Sequence, residues 1–225
     1  MPTEKLVFDV NETLLDLSPL DAVFAQLFGD AGLRRTWFAS LLHWSTVTTL
    51  TRQYQDFTTL AGDCLDALAR QRGIDLDDNG RQEVFASIAT LPPHADVPGA
   101  LARLSEHGFT LIALTNSAQN TVDRQFEHAG LTGYFDHVLS VDAARCYKPH
   151  PSAYAVAAGA LGCPNAELRL IAAHDWDVTG AIRAGLKGAF VARNGSVFNR
   201  AGEQPEIVGD DLADVAKQLL SHRSD

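Results

Sequence analysis

Four polar segments of this sequence follow apolar runs, and their residue types suit covalent catalysis. They are Asp9 with Thr13, Thr115-Asn116-Ser117, Lys148-Pro149, and His174-Asp175-Trp176-Asp177. A carboxylate serves as a nucleophile when it is ionised, and a nearby cation favours the ionised form. We therefore predict that Asp9 is the nucleophile and that Lys148 keeps it ionised. The hydroxyl of Thr115 and nearby backbone N–H groups would hold an anionic part of the substrate.

A parallel β-sheet would bring these segments together. Leu6-Val7-Phe8 ends directly at Asp9, as expected for a buried strand that delivers a side chain to the carboxyl edge of a sheet. Further along, apolar runs alternate with helical periodicity, which indicates a mostly parallel sheet with right-handed crossovers. The pattern predicts strands at 110–114, within 135–141, at 168–172 and at 188–192, and helices at about 118–129, 152–161, 178–184 and 212–220.

The stretch from about 16 to 91 differs from the rest of the chain. It shows three helix-like segments and no convincing strand, and Pro92-Pro93 follows it. The sequence therefore predicts an α/β fold with a Rossmann-like parallel-sheet core at 1–15 and 92–225. A helical cap at 16–91 would be inserted after the first strand. Such a cap would cover the sheet edge where Asp9 emerges and would exclude water.

Composition narrows the possible partners and the compartment. The formal net charge of −10 disfavours nucleic acid and anionic membranes as partners. The chain has no apolar run long enough to span a bilayer, and its first residues lack a secretory-signal pattern. Its three cysteines fit neither a disulfide framework nor a zinc spacing. We expect free thiols in a reducing cytoplasm.

The ordered set of Asp9 with Thr13, Thr115, Lys148 and Asp177, with a helical insert after the first strand, resembles the haloacid dehalogenase superfamily over almost the whole chain. Other stretches resemble its L-2-haloacid dehalogenase (type II) branch. These are Tyr54-Gln55-Asp56-Phe57, Leu139-Ser140-Val141-Asp142, Tyr147-Lys148-Pro149 with Tyr154, Trp176-Asp177, and Asn194-Gly195-Ser196-Val197-Phe198. The resemblance implies a haloacid dehalogenase-like fold, a small 2-haloacid substrate and a homodimer.

The resemblance also implies a mechanism. The Asp9 carboxylate attacks C2 of a short 2-haloalkanoate, halide leaves, and an aspartyl ester remains. Water then attacks the carbonyl carbon of the ester and frees a 2-hydroxy acid with inverted configuration. Asp177 and Lys148 would orient and activate this water, and His174 would assist as a base. The implied catalytic residues are Asp9, Thr13, Thr115, Lys148, His174 and Asp177, with no metal and no cofactor.

A second set of residues is implied to bind the substrate. Its carboxylate would lie near Thr115 and the backbone amides that follow the nucleophile. Asn116 would help to cradle the halogen, and Leu42, Phe57 and Trp176 would form apolar walls. The full set comprises Val10, Asn11, Phe38, Leu42, Phe57, Asn116, Tyr154 and Trp176.

A magnesium-dependent phosphatase of a small phosphorylated metabolite is the alternative function within the superfamily. Those phosphatases place a second Asp two residues after the nucleophile, where this chain has Asn11. They also place an acidic residue four positions before the Asp that corresponds to Asp177, where this chain has Ala173. Magnesium prefers carboxylate and water oxygens. The sequence therefore favours metal-independent dehalogenation.

Two departures from the type II pattern involve Phe38 and the segment that carries Ala172 and His174. Phe38 stands where an Arg that pulls on the leaving halide follows the Trp matching Trp37. His174 stands where the branch usually has Asn, and Ala172 where it has Ser. The local sequence offers other cations nearby, namely Arg34, Arg35, His43 and Arg52. These departures leave open a different leaving group, and also a protein that binds a small carboxylate without turning it over.

Overall fold

The computed structural model describes residues 5–222, and in this range it shows six parallel strands and nine α-helices. The strands are β1 (Lys5–Phe8), β2 (Thr110–Thr115), β3 (His137–Ser140), β4 (Leu168–Ala172), β5 (Lys187–Val191) and β6 (Ile207–Gly209). The helices are α1 (Leu20–Phe28), α2 (Leu33–Leu50), α3 (Phe57–Arg72), α4 (Asp78–Ala89), α5 (Val97–Glu106), α6 (Gln119–Ala129), α7 (Pro151–Leu161), α8 (Asp175–Arg183) and α9 (Leu212–Ser221).

The strands form one sheet in the order β3-β2-β1-β4-β5-β6. Strand β1 is central, with Phe8 paired to Ala113 of β2 on one side and to Ile171 of β4 on the other. Leu6, Val7 and Phe8 have no exposed surface, as expected for a strand covered on both faces. Strand order reverses beside β1, and its carboxyl end is therefore the place where open α/β sheets bind ligands. This confirms the predicted α/β fold class.

Most of the elements predicted beyond residue 110 are present, with two differences. Helix α8 begins at Asp175 rather than near 178, because Asp175 and Asp177 are stabilised in a first helical turn by the helix dipole. Strand β6 was not predicted, since three residues are too few to show an alternating pattern.

The stretch between β1 and α5 contains four helices, so the prediction of three helix-like segments was wrong. Helix α1 ends at Gly29, whose positive φ of 74° forms a left-handed C-cap. Only three residues then precede α2. Periodicity alone does not resolve such a short break, because the apolar stripe continues across it.

The three cysteines and the hydropathy of the helices can also be compared with the sequence-based expectations. Cys64 and Cys146 are buried, Cys163 is half-buried, and all three are free. No helix within residues 5–222 is both long enough and apolar enough to cross a bilayer.

Helix α8 packs closely against the segment that carries Lys148. Gly180 of α8 faces Pro149, which follows Lys148, and Tyr154 of α7. A Cβ atom at position 180 would collide with Pro149 and would lie 2.5 Å from the Tyr154 hydroxyl oxygen. The absence of a side chain at Gly180 therefore lets two site-bearing segments approach each other.

We predict that Gly180→Ala destabilises the protein by about 1–3 kcal/mol through overpacking. Urea unfolding would measure the change. Gly159→Ala is the matched control, because Gly159 lies on the exposed face of α7 with open space around its Cβ position. It should stabilise the protein by roughly 0.5–1 kcal/mol. Equal stability of Gly180→Ala and the wild type would contradict this packing argument.

Candidate active site

The Asp9 carboxylate lies at the carboxyl end of β1 and is 5% exposed. Its Oδ1 accepts a hydrogen bond from Lys148 Nζ at 2.7 Å. Its Oδ2 accepts one from Thr13 Oγ1 at 2.7 Å and faces His174 Nδ1 at 3.1 Å. Burial raises the pKa of Asp9, but Lys148 and His174 outweigh it and hold the pKa well below its usual range. Asp9 is therefore an anion at neutral pH.

A sharp turn after β1 brings Thr13 back to Asp9. The carbonyl oxygen of Val10 accepts hydrogen bonds from the backbone N–H groups of Leu14 and Leu15 at 2.8 and 3.0 Å. Thr13 Oγ1 also accepts the backbone N–H of Ala173 at 2.9 Å. The Thr13 hydroxyl thus ties the end of β1 to the segment after β4. Val10 itself is wholly buried.

Lys148 lies between two buried carboxylates. Its ammonium group, 1% exposed, donates to Asp177 Oδ2 at 2.6 Å as well as to Asp9 and to the Leu114 carbonyl oxygen. Burial lowers the pKa of Lys148, but the charges of Asp177 and Asp9 raise it above its ordinary value. The Tyr154 hydroxyl donates to Asp177 Oδ1 at 2.7 Å. Both oxygens of Asp177 are therefore engaged.

His174 contacts two carboxylates at once. Besides Asp9, its Nε2 lies 3.0 Å from Glu12 Oε2. Ionised carboxylates only accept hydrogen bonds, so both ring nitrogens must donate and the ring is an imidazolium. Burial lowers the pKa of His174, but hydrogen bonds to Asp9 and Glu12 raise it to about 10. In this state His174 has no free lone pair with which to act as the predicted base.

Glu12 and Arg34 were not predicted as site residues. Glu12 Oε1 accepts from Arg34 at 3.1 Å, and Arg34 Nε donates to Asp21 Oδ1 at 2.6 Å. Arg34 is buried, whereas Arg35, His43 and Arg52 are exposed. Of the four local cations, Arg34 approaches Asp9 through Glu12 and His174. The positive φ of Glu12, 62°, directs this arrangement and has no signal in the sequence.

The segment after β2 connects the charged cluster to a neighbouring cavity. Thr115 is buried, and its Oγ1 accepts the backbone N–H of Ser117 at 3.1 Å. Asn116 Oδ1 accepts the backbone N–H of Lys148 at 3.0 Å. Asn11 Nδ2 donates to Ser117 Oγ at 3.0 Å.

A largely apolar cavity of about 200 Å³ lies beside this cluster. Its walls come from α1–α4, the segment after β2, and α6. The lining residues include Asn11, Leu17, Trp37, Phe38, Phe57, Phe85, Ile88, Ser117 and Arg124. Leu42 and Trp176 do not line it. The Trp176 ring lies 5.2 Å from the His174 ring, and the buried Phe38 ring lies 6.3 Å from it on the cavity side.

The donor set fits a lysine-centred site better than a magnesium site. Between the two carboxylates Asp9 and Asp177, the Lys148 ammonium supplies the positive charge. The side-chain amide of Asn11 is bound to Ser117, and Ala173 offers only its backbone N–H. Among residues 5–222, no three His, Cys, Asp or Glu side chains are grouped so as to hold a metal ion.

Comparisons with known proteins find relatives of this chain in both sequence and structure. A sequence model of the haloacid dehalogenase-like hydrolases matches residues 6–185. The (S)-2-haloacid dehalogenase of Pseudomonas sp. strain YL is 30% identical over 203 residues, covering 89% of this chain and 88% of that protein. Haloacetate dehalogenase H-2 of Moraxella sp. strain B is 30% identical over 206 residues, covering 91% and 92%. The structure of the L-2-haloacid dehalogenase from Xanthobacter autotrophicus with chloropropionic acid covalently bound has a TM-score of 0.89 at 26% identity, covering 97% and 98%.

We predict that Lys148→Met destabilises the protein by about 3–5 kcal/mol at neutral pH, because it leaves two buried carboxylates without their cation. The loss should shrink as the pH falls, since the protonated carboxyls no longer need a positive charge. Urea unfolding at several pH values would measure both effects. Lys217→Met, at an exposed position of α9, should change stability by less than about 0.5 kcal/mol. A pH-independent loss for Lys148→Met would contradict the assigned charges.

Proposed function

Because the chain belongs to the haloacid dehalogenase-like hydrolase family, we propose that it hydrolyses short 2-haloalkanoic acids to 2-hydroxy acids and halide. The observation that carries this proposal is the buried, ionised Asp9 held by Lys148 and Thr13. Relatives named for action on haloacids support the substrate class. The related structure with covalently bound chloropropionic acid supports a covalent intermediate.

In the first step, a carboxylate oxygen of Asp9 attacks C2 of the substrate opposite the halogen. The C2–halogen bond breaks, halide leaves with the electron pair, and an Asp9 ester forms. Lys148 and Thr13 fix the orientation of the carboxylate, so little freedom is lost at the moment of attack. A single displacement at C2 inverts its configuration.

In the second step, water attacks the carbonyl carbon of the Asp9 ester, and the 2-hydroxy acid departs. Lys148 contacts both Asp9 and Asp177 through its ammonium group, and we assign Lys148 and Asp177 to positioning of the water. We assign the substrate carboxylate to Thr115 and to the backbone amides of Val10 and Asn11. We assign the halogen to the region of Asn116. These assignments follow the family pattern. Val10 and Asn11 directly follow Asp9 in the chain, and Asn116 contacts the backbone N–H of Lys148. Val10, Thr115 and Asn116 are buried, and Asn11 is half-buried.

The cavity favours a short apolar substituent at C2. At about 200 Å³, and with Phe38 and Phe57 in its walls, it would accept a few carbon atoms. It borders Asn11 and Ser117, which connect it to the segment carrying Thr115 and Asn116. Phe38, which stands in place of an arginine, adds apolar surface there.

Phosphatase activity is the weaker candidate. It needs a metal site and an acid–base group beside the nucleophile, and Asn11 and Ala173 supply neither. Lys148 already neutralises the carboxylate pair that would otherwise attract a cation.

We also propose a division into a core at 1–15 and 92–225 and a helical cap at 16–91. Two backbone hydrogen bonds support it, because they bring the outgoing and returning chain segments together. Asp16 N donates to the Pro92 oxygen at 2.8 Å, and His94 N donates to the Leu14 oxygen at 2.9 Å. Together they make the isolated antiparallel β-bridge of Leu15 and Pro93. Paired connections of this kind are suited to a hinge.

A homodimer and a cytoplasmic location complete the proposal. Trp44 and Leu50 of α2 are 48% and 76% exposed, and large exposed apolar side chains of this kind favour a subunit interface. The three free cysteines are typical of a reducing compartment. Sedimentation of the wild type and of a Trp44→Ser, Leu50→Ser variant would test the dimer.

We predict halide release from chloroacetate, bromoacetate and one enantiomer of 2-chloropropionate in the presence of EDTA. Asp9→Asn should reduce this release at least ~10³-fold, because the amide is a poor nucleophile. Asp210→Asn, at an exposed position, should keep wild-type activity. Halide electrode readings would measure release. Tight binding of haloacids without turnover would indicate a binding protein, and magnesium-stimulated phosphate release from an aryl phosphate would revive the phosphatase alternative.

We predict that Phe38→Ala shifts preference toward longer 2-haloacids, because it enlarges the cavity beside the substrate. The ratio of kcat/KM for 2-chlorobutyrate to that for 2-chloropropionate should rise about tenfold or more. Phe126→Ala is the control, since this buried side chain of α6 packs against Phe135 and does not line the cavity. It should lower stability and leave the ratio unchanged. An unchanged ratio in Phe38→Ala would show that this cavity does not bind the C2 substituent of the substrate.

A further inference from the structure

His174 binds two carboxylates, and the proposed reaction changes only one of them. Nδ1 faces Asp9, which becomes a neutral ester after the first step. Nε2 faces Glu12, which takes no part in that step and keeps its charge. The environment of Nδ1 therefore changes during each turnover, while that of Nε2 does not.

We propose that esterification of Asp9 converts His174 from a cation into the general base that hydrolyses the ester, with Glu12 as its positioning residue. This inference rests on the proposed function, because it needs the Asp9 ester. His174 would thus hold its proton in the free protein and release it only after alkylation of Asp9.

The charges around His174 support a change of this kind. In the free protein, the anions Asp9 and Glu12 touch the ring and stabilise its positive charge. The ester removes the charge of Asp9. Lys148 behind Asp9 remains a cation, and its repulsion of the imidazolium is then screened by fewer anions. The pKa of His174 therefore falls when the ester forms.

The other charged and titratable groups nearby contact Lys148 or Glu12. Asp177 pairs with Lys148, and Arg34 pairs with Glu12. His94 Nε2 lies 3.2 Å from the Glu12 carbonyl oxygen. None of these groups contacts Nδ1 in place of Asp9. The loss of negative charge at Asp9 therefore leaves Nδ1 without an anionic partner.

Geometry favours His174 over Asp177 as the proton acceptor. Asp177 Oδ1 and Oδ2 already accept from Tyr154 and Lys148 at 2.7 and 2.6 Å. Nδ1 of His174, once deprotonated, has a free lone pair, and it lies 3.1 Å from an oxygen of the carboxyl group that the water attacks. A water that replaces this direct contact, bound to Nδ1 and beside the ester carbon, would be within hydrogen-bond reach of the base.

Glu12 selects the productive tautomer. It accepts the Nε2 proton, and this leaves Nδ1 as the basic nitrogen. Arg34 fixes the other Glu12 oxygen at 3.1 Å. The carboxylate also stabilises the imidazolium when His174 takes up a proton from water.

The protons balance over the cycle. After alkylation, His174 loses its Nδ1 proton to solvent, and this is the one proton that the overall reaction releases. Water then gives one proton to Nδ1 as its oxygen bonds to the Asp9 carbonyl carbon. The bond from that carbon to the alkoxide oxygen breaks, and the alkoxide takes the second proton of the water. Asp9 returns as a carboxylate, and His174 returns as an imidazolium.

Rapid-quench kinetics with (S)-2-chloropropionate would test the role of His174. In His174→Gln, we expect a burst of about one halide per site and an Asp9 ester detectable by mass spectrometry. Hydrolysis of that ester should be slowed about 10²–10⁴-fold relative to the wild type. His128→Gln, which changes an exposed histidine of α6 outside the site, should show wild-type hydrolysis.

Three results separate this inference from the proposed function. No halide from the wild type would overturn the proposed function. Halide from the wild type together with ester hydrolysis at the wild-type rate in His174→Gln would overturn only the role of His174. Loss of the halide burst in a folded His174→Gln would also overturn it, because His174 would then act in alkylation. His174→Asn, with a smaller amide, checks that the result does not depend on one substituent.

The pH profile of ester hydrolysis would test Glu12. Base catalysis requires neutral His174, so the single-turnover rate should rise as the pH passes the pKa of His174 in the ester. Glu12→Gln keeps an acceptor for Nε2 and removes the charge, which lowers that pKa and shifts the rise to lower pH. His128→Gln should leave the rise in place. A Glu12→Gln profile that loses amplitude without shifting would overturn the positioning role of Glu12.

Discussion

The ion pairs of Lys148 with Asp9 and Asp177 are the interaction on which the rest of the site depends. Three charged groups, each at most 5% exposed, meet at the carboxyl edge of a parallel sheet. Isolated charges at such depth would cost several kcal/mol each, so the fold must bring all three together or none. The chain does so with a residue directly after β1, one from the segment before α7, and one from the first turn of α8. Gly180 helps to meet this requirement, because its lack of a side chain lets α8, which carries Asp177, approach Pro149 next to Lys148.

A second chain of charges connects this centre to the helices that precede α5. It runs from Asp9 through His174 and Glu12 to Arg34 of α2 and Asp21 of α1. The anions and cations alternate along it. The packing of α1 and α2 therefore affects the charges around Glu12, because displacement of Arg34 would leave Glu12 with one cation fewer.

The sequence predicted the parts of the site that depend on regular elements. A buried strand that ends at Asp9, and alternating strands and helices later, were enough to place Asp9, Lys148 and Asp177 at one sheet edge. It did not predict the parts that depend on side-chain paths or on irregular backbone. Glu12, which contacts His174, has a positive φ, and Arg34 reaches Glu12 across 22 residues. The break between α1 and α2, and the three-residue β6, were too short to alter the hydrophobic pattern.

The two departures from the type II pattern are physically linked. The Phe38 ring lies 6.3 Å from the His174 ring, so an arginine at position 38 would bring a third cation close to His174 and Arg34. Like charges at this separation in a partly buried site repel, and they would lower the pKa of His174. A neutral side chain at position 38 lets an imidazolium stand beside the nucleophile. The positive charge near Asp9 is thus kept, but it is carried by a group that can lose its proton, which an arginine cannot do.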